Sequence, residues 1–227
     1  MAVHISRLLF GKEHVLPSTS SARPHAWTAG TFDGGWYRAI VRFAHHSAWL
    51  NGPLELYTTV GIALLAVMAI GAWWSARGQA DRRSMAAVAW LGLGTLLSVG
   101  CGLMLKQVFH EVRPCRTLSV VTVEACPGVK DYSFPSDHMT VAVALAVGLW
   151  LVDRRLGLVA AALAAIEGFS RVYLGQHYPH DVLAAIVLST VVMLAGWRVA
   201  RRPLTGLVAA LERTPLRRAL TTRSGSS

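Results

Sequence analysis

The sequence predicts an all-α polytopic membrane protein, a bundle of about five transmembrane helices preceded by an amphipathic helix at the membrane surface. Three observations carry that prediction. Of 227 residues, 53% are apolar and only 15% are charged. The apolar residues come in runs close to the ~20 needed to cross ~30 Å of hydrocarbon, where a soluble domain would alternate apolar and polar faces. Basic residues collect at the ends of those runs and in the C-terminal tail, where headgroups and the positive-inside bias place them.

In chain order, residues 1–35 are mixed in character, rich in Ser, Pro and His, and expected to be poorly ordered. They hold no compact apolar core followed by a small-residue cleavage site, so targeting is expected to come from the first spanning helix. Between Trp36 and Leu50, Ile40, Val41, Phe43, Ala44 and Trp49 are interspersed with Arg38, Arg42, His45 and His46. That pattern fits a helix in the plane of the interface, or equally a short helix packed on the bundle. Asn51, Gly52 and Pro53 are expected to break the chain. The five spans then run from about Leu54 to Ala76, Met85 to Phe109, Ser136 to Val152, Leu156 to Leu174 and Asp181 to Ala200. The third and fourth are short for a full crossing, and the small residues from Ala160 to Ala165 suit close helix packing. Residues 36–200 form the membrane domain in this division, and 201–227 a basic cytoplasmic tail.

The formal net charge of +10 does not imply a nucleic-acid partner, because so little hydrophilic surface remains to build one on. It sets orientation instead. With five spans, Arg77, Arg82 and Arg83, the pair Arg154 and Arg155, and the Arg-rich tail share one side. That side is expected to be cytoplasmic, even though the N-terminal segment carries basic residues of its own. The loops holding Arg113, Arg116, Lys130 and Arg171 then face outward.

Three polar clusters fall on that outward side. Lys106 and Arg113 are seven residues apart, two helical turns, and would share a face if the helix runs that far. Pro114 is expected to end it. Two such cations could bind an anion, or simply snorkel to headgroups. In the second cluster, Phe134-Pro135-Ser136-Asp137-His138, Ser136 is a natural N-cap. It would open a helix whose first N–H groups and dipole favour phosphate, with His138 placed to donate a proton. In the third cluster, Ser170 and Arg171 close one apolar segment. His177 precedes Pro179, a natural first helical residue, and Asp181 falls in the first turn beyond it. A carboxylate one turn away can fix the tautomer of His177 and make one ring nitrogen nucleophilic. Arg171 offers the planar donors that match phosphate oxygens.

Together, Lys106-x6-Arg113-Pro114, Pro135-Ser136-x-His138 and Ser170-Arg171-x5-His177-x3-Asp181 resemble the three-part signature of the type 2 phosphatidic acid phosphatase (PAP2) superfamily, over about a third of the chain. The resemblance implies an all-helical core and phosphoryl transfer through a phosphohistidine, with no metal or other cofactor. It implies His177 as nucleophile, Asp181 as its orienting partner and His138 as general acid. Lys106, Arg113, Arg171 and Ser136, with Asp137 and Ser170 beside them, would surround the phosphoryl group. Such a site is mostly positioning and charge stabilisation. The commonest form of the second motif has Gly where this chain has Asp137, a carboxylate that must be protonated or paired beside a dianion. The Pro-Ser-Asp-His form looks like the branch acting on undecaprenyl pyrophosphate, in the bacterial plasma membrane with an extracytoplasmic site. Phosphatidic acid, phosphatidylglycerophosphate or another prenyl-linked phosphate remain alternative substrates, and a non-catalytic membrane protein on the same fold is the alternative class. Membrane lipids are the other expected partners.

Three further residues carry expectations. Glu167, within an apolar segment, is either a support for Arg171 four residues on or an interior carboxyl kept neutral. Cys115 and Cys126 share the outward loop, where an oxidising compartment permits a disulfide that would brace Arg113. The alternative is two free thiols.

Overall fold

A computed structural model describes residues 33–79, 81–118, 120–215 and 217–221. Most of the N-terminal segment expected to be poorly ordered therefore lies outside the described residues. What is described begins earlier than the expected domain start: Asp33 is already buried, and α1 runs Gly34–His46. A 3₁₀ turn, Ala48–Leu50, leads into α2, Asn51–Gln79. The remaining helices are α3 (Arg82–Phe109), α4 (Pro114–Thr117), α5 (Asp137–Val152), α6 (Arg154–Tyr173), α7 (Pro179–Leu211) and α8 (Arg217–Leu220).

Three boundaries differ from expectation, each for a local reason. Asn51, Gly52 and Pro53 open α2 instead of breaking the chain, since a first helical turn needs no N–H from proline. The second span, α3, ends at Phe109 as expected, where His110 adopts a left-handed cap (φ 46°), so Arg113 does not continue the face of Lys106. Pro114 starts α4 at its first position; it does not end α3. At the other end, α7 continues through Pro203 to Leu211. Val208 packs with Ala86, Ala87 and Trp197, so residues 201–211 belong to the bundle and not to a separate tail.

Among the described residues, four stretches are long and apolar enough to cross a membrane: Ala48–Gln79, Arg82–Thr117, Arg154–Tyr173 and Pro179–Leu211. The fifth, α5, has 16 residues and so spans about 24 Å. The chain is a multi-pass membrane protein. The shortest of these five helices is the central one. α5 packs against α2, α3, α6 and α7, and Met139, Ala142, Leu145 and Leu149 are buried in the core. A helix apolar all round suits that enclosed place.

Small residues let the helices approach. A Cβ built on Gly157 of α6 would lie 2.4 Å from Trp150 Cα of α5. Polar contacts cross the interfaces with α7: Trp90 Nε1 of α3 donates to Met193 O at 2.9 Å, and Ser189 Oγ to Thr140 O of α5 at 2.9 Å. Within hydrocarbon such bonds contribute about 0.6 kcal/mol each on average.

α1 is amphipathic, as expected, and packs on the bundle by one face. Tyr37, Val41 and Ala44 are buried on it, and Tyr37 donates to Gly175 O at 3.0 Å. Its outer face still presents Trp36 and Phe43 with Arg38 and Arg42.

The close α5–α6 approach predicts that Gly157→Ala destabilises the bundle by about 1–3 kcal/mol, the usual cost of overpacking. Gly92→Ala, where a Cβ meets nothing within 4 Å, should shift stability by less than about 0.5 kcal/mol downward. Thermal unfolding of both variants in detergent checks this; equal melting temperatures would contradict the packing account.

Candidate active site

Four helix ends converge at one end of the bundle. α3 delivers Lys106 in its last turn, α5 begins at Asp137 with Ser136 as N-cap residue, α6 carries Arg171 in its last turn, and α7 begins with Asp181 in its first turn. The two helix starts are tied directly, Ser136 N donating to Asp181 O at 3.3 Å. Between α6 and α7 the chain turns at Gly175, whose φ of +85° and close approach to Thr122 exclude a side chain. That turn places His177 beneath the helix ends, 1% exposed.

His177 lies between an acid and a base of fixed roles. Its Nδ1 is 3.3 Å from Asp181 Oδ2, and its Nε2 is 3.3 Å from Arg113 Nη1. Arginine only donates, so Nε2 carries the lone pair and Nδ1 the proton that faces Asp181. Asp181 Oδ2 also accepts from Ser133 Oγ and from the Tyr178 N–H at 2.8 Å. Burial first, and then the charges of Arg113, Arg171 and Lys106, hold the His177 imidazole well below its ordinary range. The ring therefore stays neutral at neutral pH, with a free pair on Nε2.

The three cations are each about 5% exposed, and carboxylates meet all of them. Lys106 Nζ is 2.7 Å from Asp137 Oδ2 and donates to Tyr132 O at 2.8 Å. Asp137, whose charge beside an anion needed a partner, thus has one. Arg113 bonds Asp131 Oδ1 at 3.0 Å and Gln176 O at 3.0 Å. Burial would raise the Asp131 carboxyl, but the bond and charge of Arg113, with the charge of Lys106, outweigh it and hold the group below its usual value. Arg171 Nη1 faces Glu124 Oε2 at 3.7 Å.

His138 and Arg171 line a cleft of about 470 Å³ together with Asp137, Glu124, Thr58 and Thr59. Two buried donors here have no hydrogen-bond partner among the described residues, Ser136 Oγ and Arg171 Nε. A buried donor left so costs about 1–3 kcal/mol, and an anionic oxygen would satisfy either. The first-turn N–H groups of α5 add donors of the same kind.

Two expected site residues are not brought into this arrangement. Ser170 Oγ donates backward along α6, to Ile166 O and Glu167 O at 2.9 Å each. Glu167 is 1% exposed and makes no hydrogen bond to Arg171: neither carboxyl oxygen has a hydrogen-bond partner among the described residues. Glu124 faces that guanidinium from the loop, which spacing along α6 could not reveal. Sequence reasoning also missed Asp131 and Ser133, which sit just ahead of the second motif without any periodicity to mark them. It missed a cluster of Asp33, Glu111 and His180 as well. There burial raises the Glu111 carboxyl, opposed first by its bond to His180.

The α4–α5 loop that carries these acceptors is anchored at several points. A disulfide joins Cys115 and Cys126, with Cα atoms 5.9 Å apart. Arg116 donates to Pro127 O, Gln176 Nε2 to Ala125 O at 3.2 Å and Ser133 N to Glu111 O at 2.8 Å.

Comparison with known proteins identifies a family and a fold. The family model of the PAP2 superfamily matches residues 87–203. The undecaprenyl-diphosphatase BcrC of Bacillus subtilis is 28% identical over 76% of this chain and 87% of its own length. The decaprenylphosphoryl-5-phosphoribose phosphatase of Mycolicibacterium smegmatis is 32% identical over 76% of this chain and 80% of its own. Among solved structures, Aquifex aeolicus LpxE superimposes with a TM-score of 0.58 at 20% identity, covering 74% of this chain and 95% of that one, a likeness of fold.

The disulfide predicts that, of three cysteines, only Cys101 titrates as a thiol when the chain is denatured without reductant. Peptide mapping that recovered Cys115 and Cys126 unlinked would contradict the loop geometry described above.

Proposed function

We propose that this chain, which belongs to the PAP2 superfamily, is a membrane phosphatase that removes the terminal phosphate of a polyprenyl pyrophosphate such as undecaprenyl pyrophosphate. The observation that carries this reading is His177, neutral and buried, with its Nδ1–H facing Asp181 and its Nε2 pair facing Arg113 and the cation cluster.

In the proposed reaction Nε2 attacks the terminal phosphorus as the bridging P–O bond breaks. Electrons pass to the leaving polyprenyl phosphate oxygen, which His138 protonates from the cleft. The transferred group leaves as phosphohistidine; water then attacks phosphorus, His138 takes its proton, and inorganic phosphate and free His177 return. Charge on the phosphoryl oxygens is met by Arg113, Arg171, Lys106, Ser136 and the start of α5, fixed donors that need no reorganisation. Asp131 and Asp137, each about half exposed (46% and 49%), can yield those cations to a phosphate. No step in this scheme calls for a metal.

The pyrophosphate preference is supported by the extent of the match to the B. subtilis diphosphatase and by Asp137, whose pairing with Lys106 makes the Asp form of the motif compatible with an anion. A second reading, hydrolysis of a prenyl-linked sugar phosphate, is favoured by the M. smegmatis relative at similar coverage. An extracytoplasmic site in a bacterial plasma membrane is supported by the arginines at the opposite bundle end, among them Arg82, Arg154 and Arg202. The disulfide on the site's own side suits the same placement.

Phosphate release from undecaprenyl pyrophosphate, phosphatidic acid and decaprenylphosphoryl-5-phosphoribose by the purified chain tests the assignment. The pyrophosphate should have the highest kcat/KM, and His177→Ala should lower it by at least about 10³-fold, the scale for loss of a covalent nucleophile. A preference for either monoester would overturn the substrate; undiminished turnover by His177→Ala would overturn the mechanism.

A further inference from the structure

His180 stands between His177 and Asp181 in the first turn of α7, and the reaction above gives it nothing to do. Both of its ring nitrogens nevertheless face carboxylates. Nδ1 is 3.0 Å from Asp33 Oδ2; Nε2 is 2.9 Å from Glu111 Oε1 and 3.3 Å from Asp181 Oδ1. Its backbone N–H also donates to Asp33 Oδ2 at 2.8 Å. The rings of Tyr178 and Phe134 stack on it, with centroids 5.2 and 6.0 Å away.

An ionised carboxylate only accepts, and a neutral imidazole offers a single N–H. One ring nitrogen of a neutral His180 would therefore turn a lone pair toward a carboxylate oxygen at about 3 Å. The doubly protonated ring satisfies both sides. The acids come from three separate parts of the fold: Asp33 ahead of α1, Glu111 between α3 and α4, and Asp181 itself.

The two oxygens of Asp181 have different surroundings. Oδ2 takes Ser133 and the Tyr178 N–H and faces His177. Oδ1 has no hydrogen-bond partner among the described residues and faces His180 Nε2. Asp181 is fully buried, and burial alone disfavours a charged carboxylate. A fixed cation on its far side offsets that cost without competing for Oδ2.

We propose that His180 is a positioning residue: its imidazolium, clamped between Asp33 and Glu111, keeps Asp181 ionised and in place so that Oδ2 holds His177 in the nucleophilic tautomer. This rests on the proposed role of His177. The support exists while His180 is protonated and is lost as pH rises through its titration, giving an alkaline fall in kcat. Every titratable group facing the ring, namely Asp33, Glu111, Asp181 and the stacked Tyr178, holds that proton on or is neutral. Neutralising Glu111 should therefore move the fall to lower pH.

The test is the pH dependence of kcat and KM, from about pH 5 to about pH 10, for phosphate release from farnesyl pyrophosphate by the full chain in detergent. His180→Gln should lower kcat on the order of tenfold with KM nearly unchanged, the scale of one charge-assisted hydrogen bond. Glu111→Gln, a milder change that keeps the shape of the cluster, should displace the alkaline fall downward by about one unit. The inference is overturned if the Glu111→Gln profile superimposes on the wild type, or if folded His180→Gln turns over at the wild-type rate. Glu111, His180 and Asp181 also have the donor atoms of a cation site. Loss of wild-type activity on chelation, restored by a divalent metal, would assign the cluster to an ion and overturn the proposal. A wild type that releases no phosphate from this probe would fault the phosphatase reading itself.

Discussion

Three cationic side chains buried at one end of a helix bundle constrain everything around them. Removing an ion from water costs several kcal/mol unless a partner and further hydrogen bonds repay it, and Lys106, Arg113 and Arg171 are all about 5% exposed. The helices supply few acceptors at their ends, so the α4–α5 loop must supply them. Asp131, the Asp131 and Tyr132 carbonyls and Glu124 all come from that loop. Its disulfide and its anchors to Gln176 and Glu111 follow from the same need, because a loose loop would leave the cations unpaired.

The same burial sets the chemistry. Desolvation and three nearby positive charges push His177 toward its neutral form, while a carboxylate at Nδ1 keeps the neutral ring in one tautomer. A nucleophile and an anion cradle thus arise from one electrostatic arrangement: what disfavours imidazolium favours phosphate. The carboxylates that hold Lys106 and Arg113 are half exposed, so an entering dianion can compete for those cations where a fully buried partner could not yield.

Much of this was legible in the sequence because it depends on local order. The apolar runs gave five helices, and Pro179 gave the start of α7 with His177 ahead of it and Asp181 inside it. Ser136 marked the start of α5. What was not legible depends on contacts between distant segments. Spacing placed Glu167 beside Arg171, yet the guanidinium meets Glu124 from the loop. Seven-residue spacing would put Lys106 and Arg113 on one face only if the helix ran that far; it stops at Phe109, and the loop residue Asp131 brings the two together. Asp33 and Glu111 reach His180 across 147 and 69 residues, and no periodicity in a single chain reports such a pairing.

The central claim, that His177 carries the phosphoryl group, is tested most directly by trapping it. Enzyme mixed with terminally ³²P-labelled polyprenyl pyrophosphate, quenched in alkali where phosphoimidazoles survive, and digested should yield label on the peptide containing His177. The label should be acid-labile and absent from His177→Ala. Label on another residue, or none while phosphate is released in a burst at the same enzyme concentration, would contradict the account.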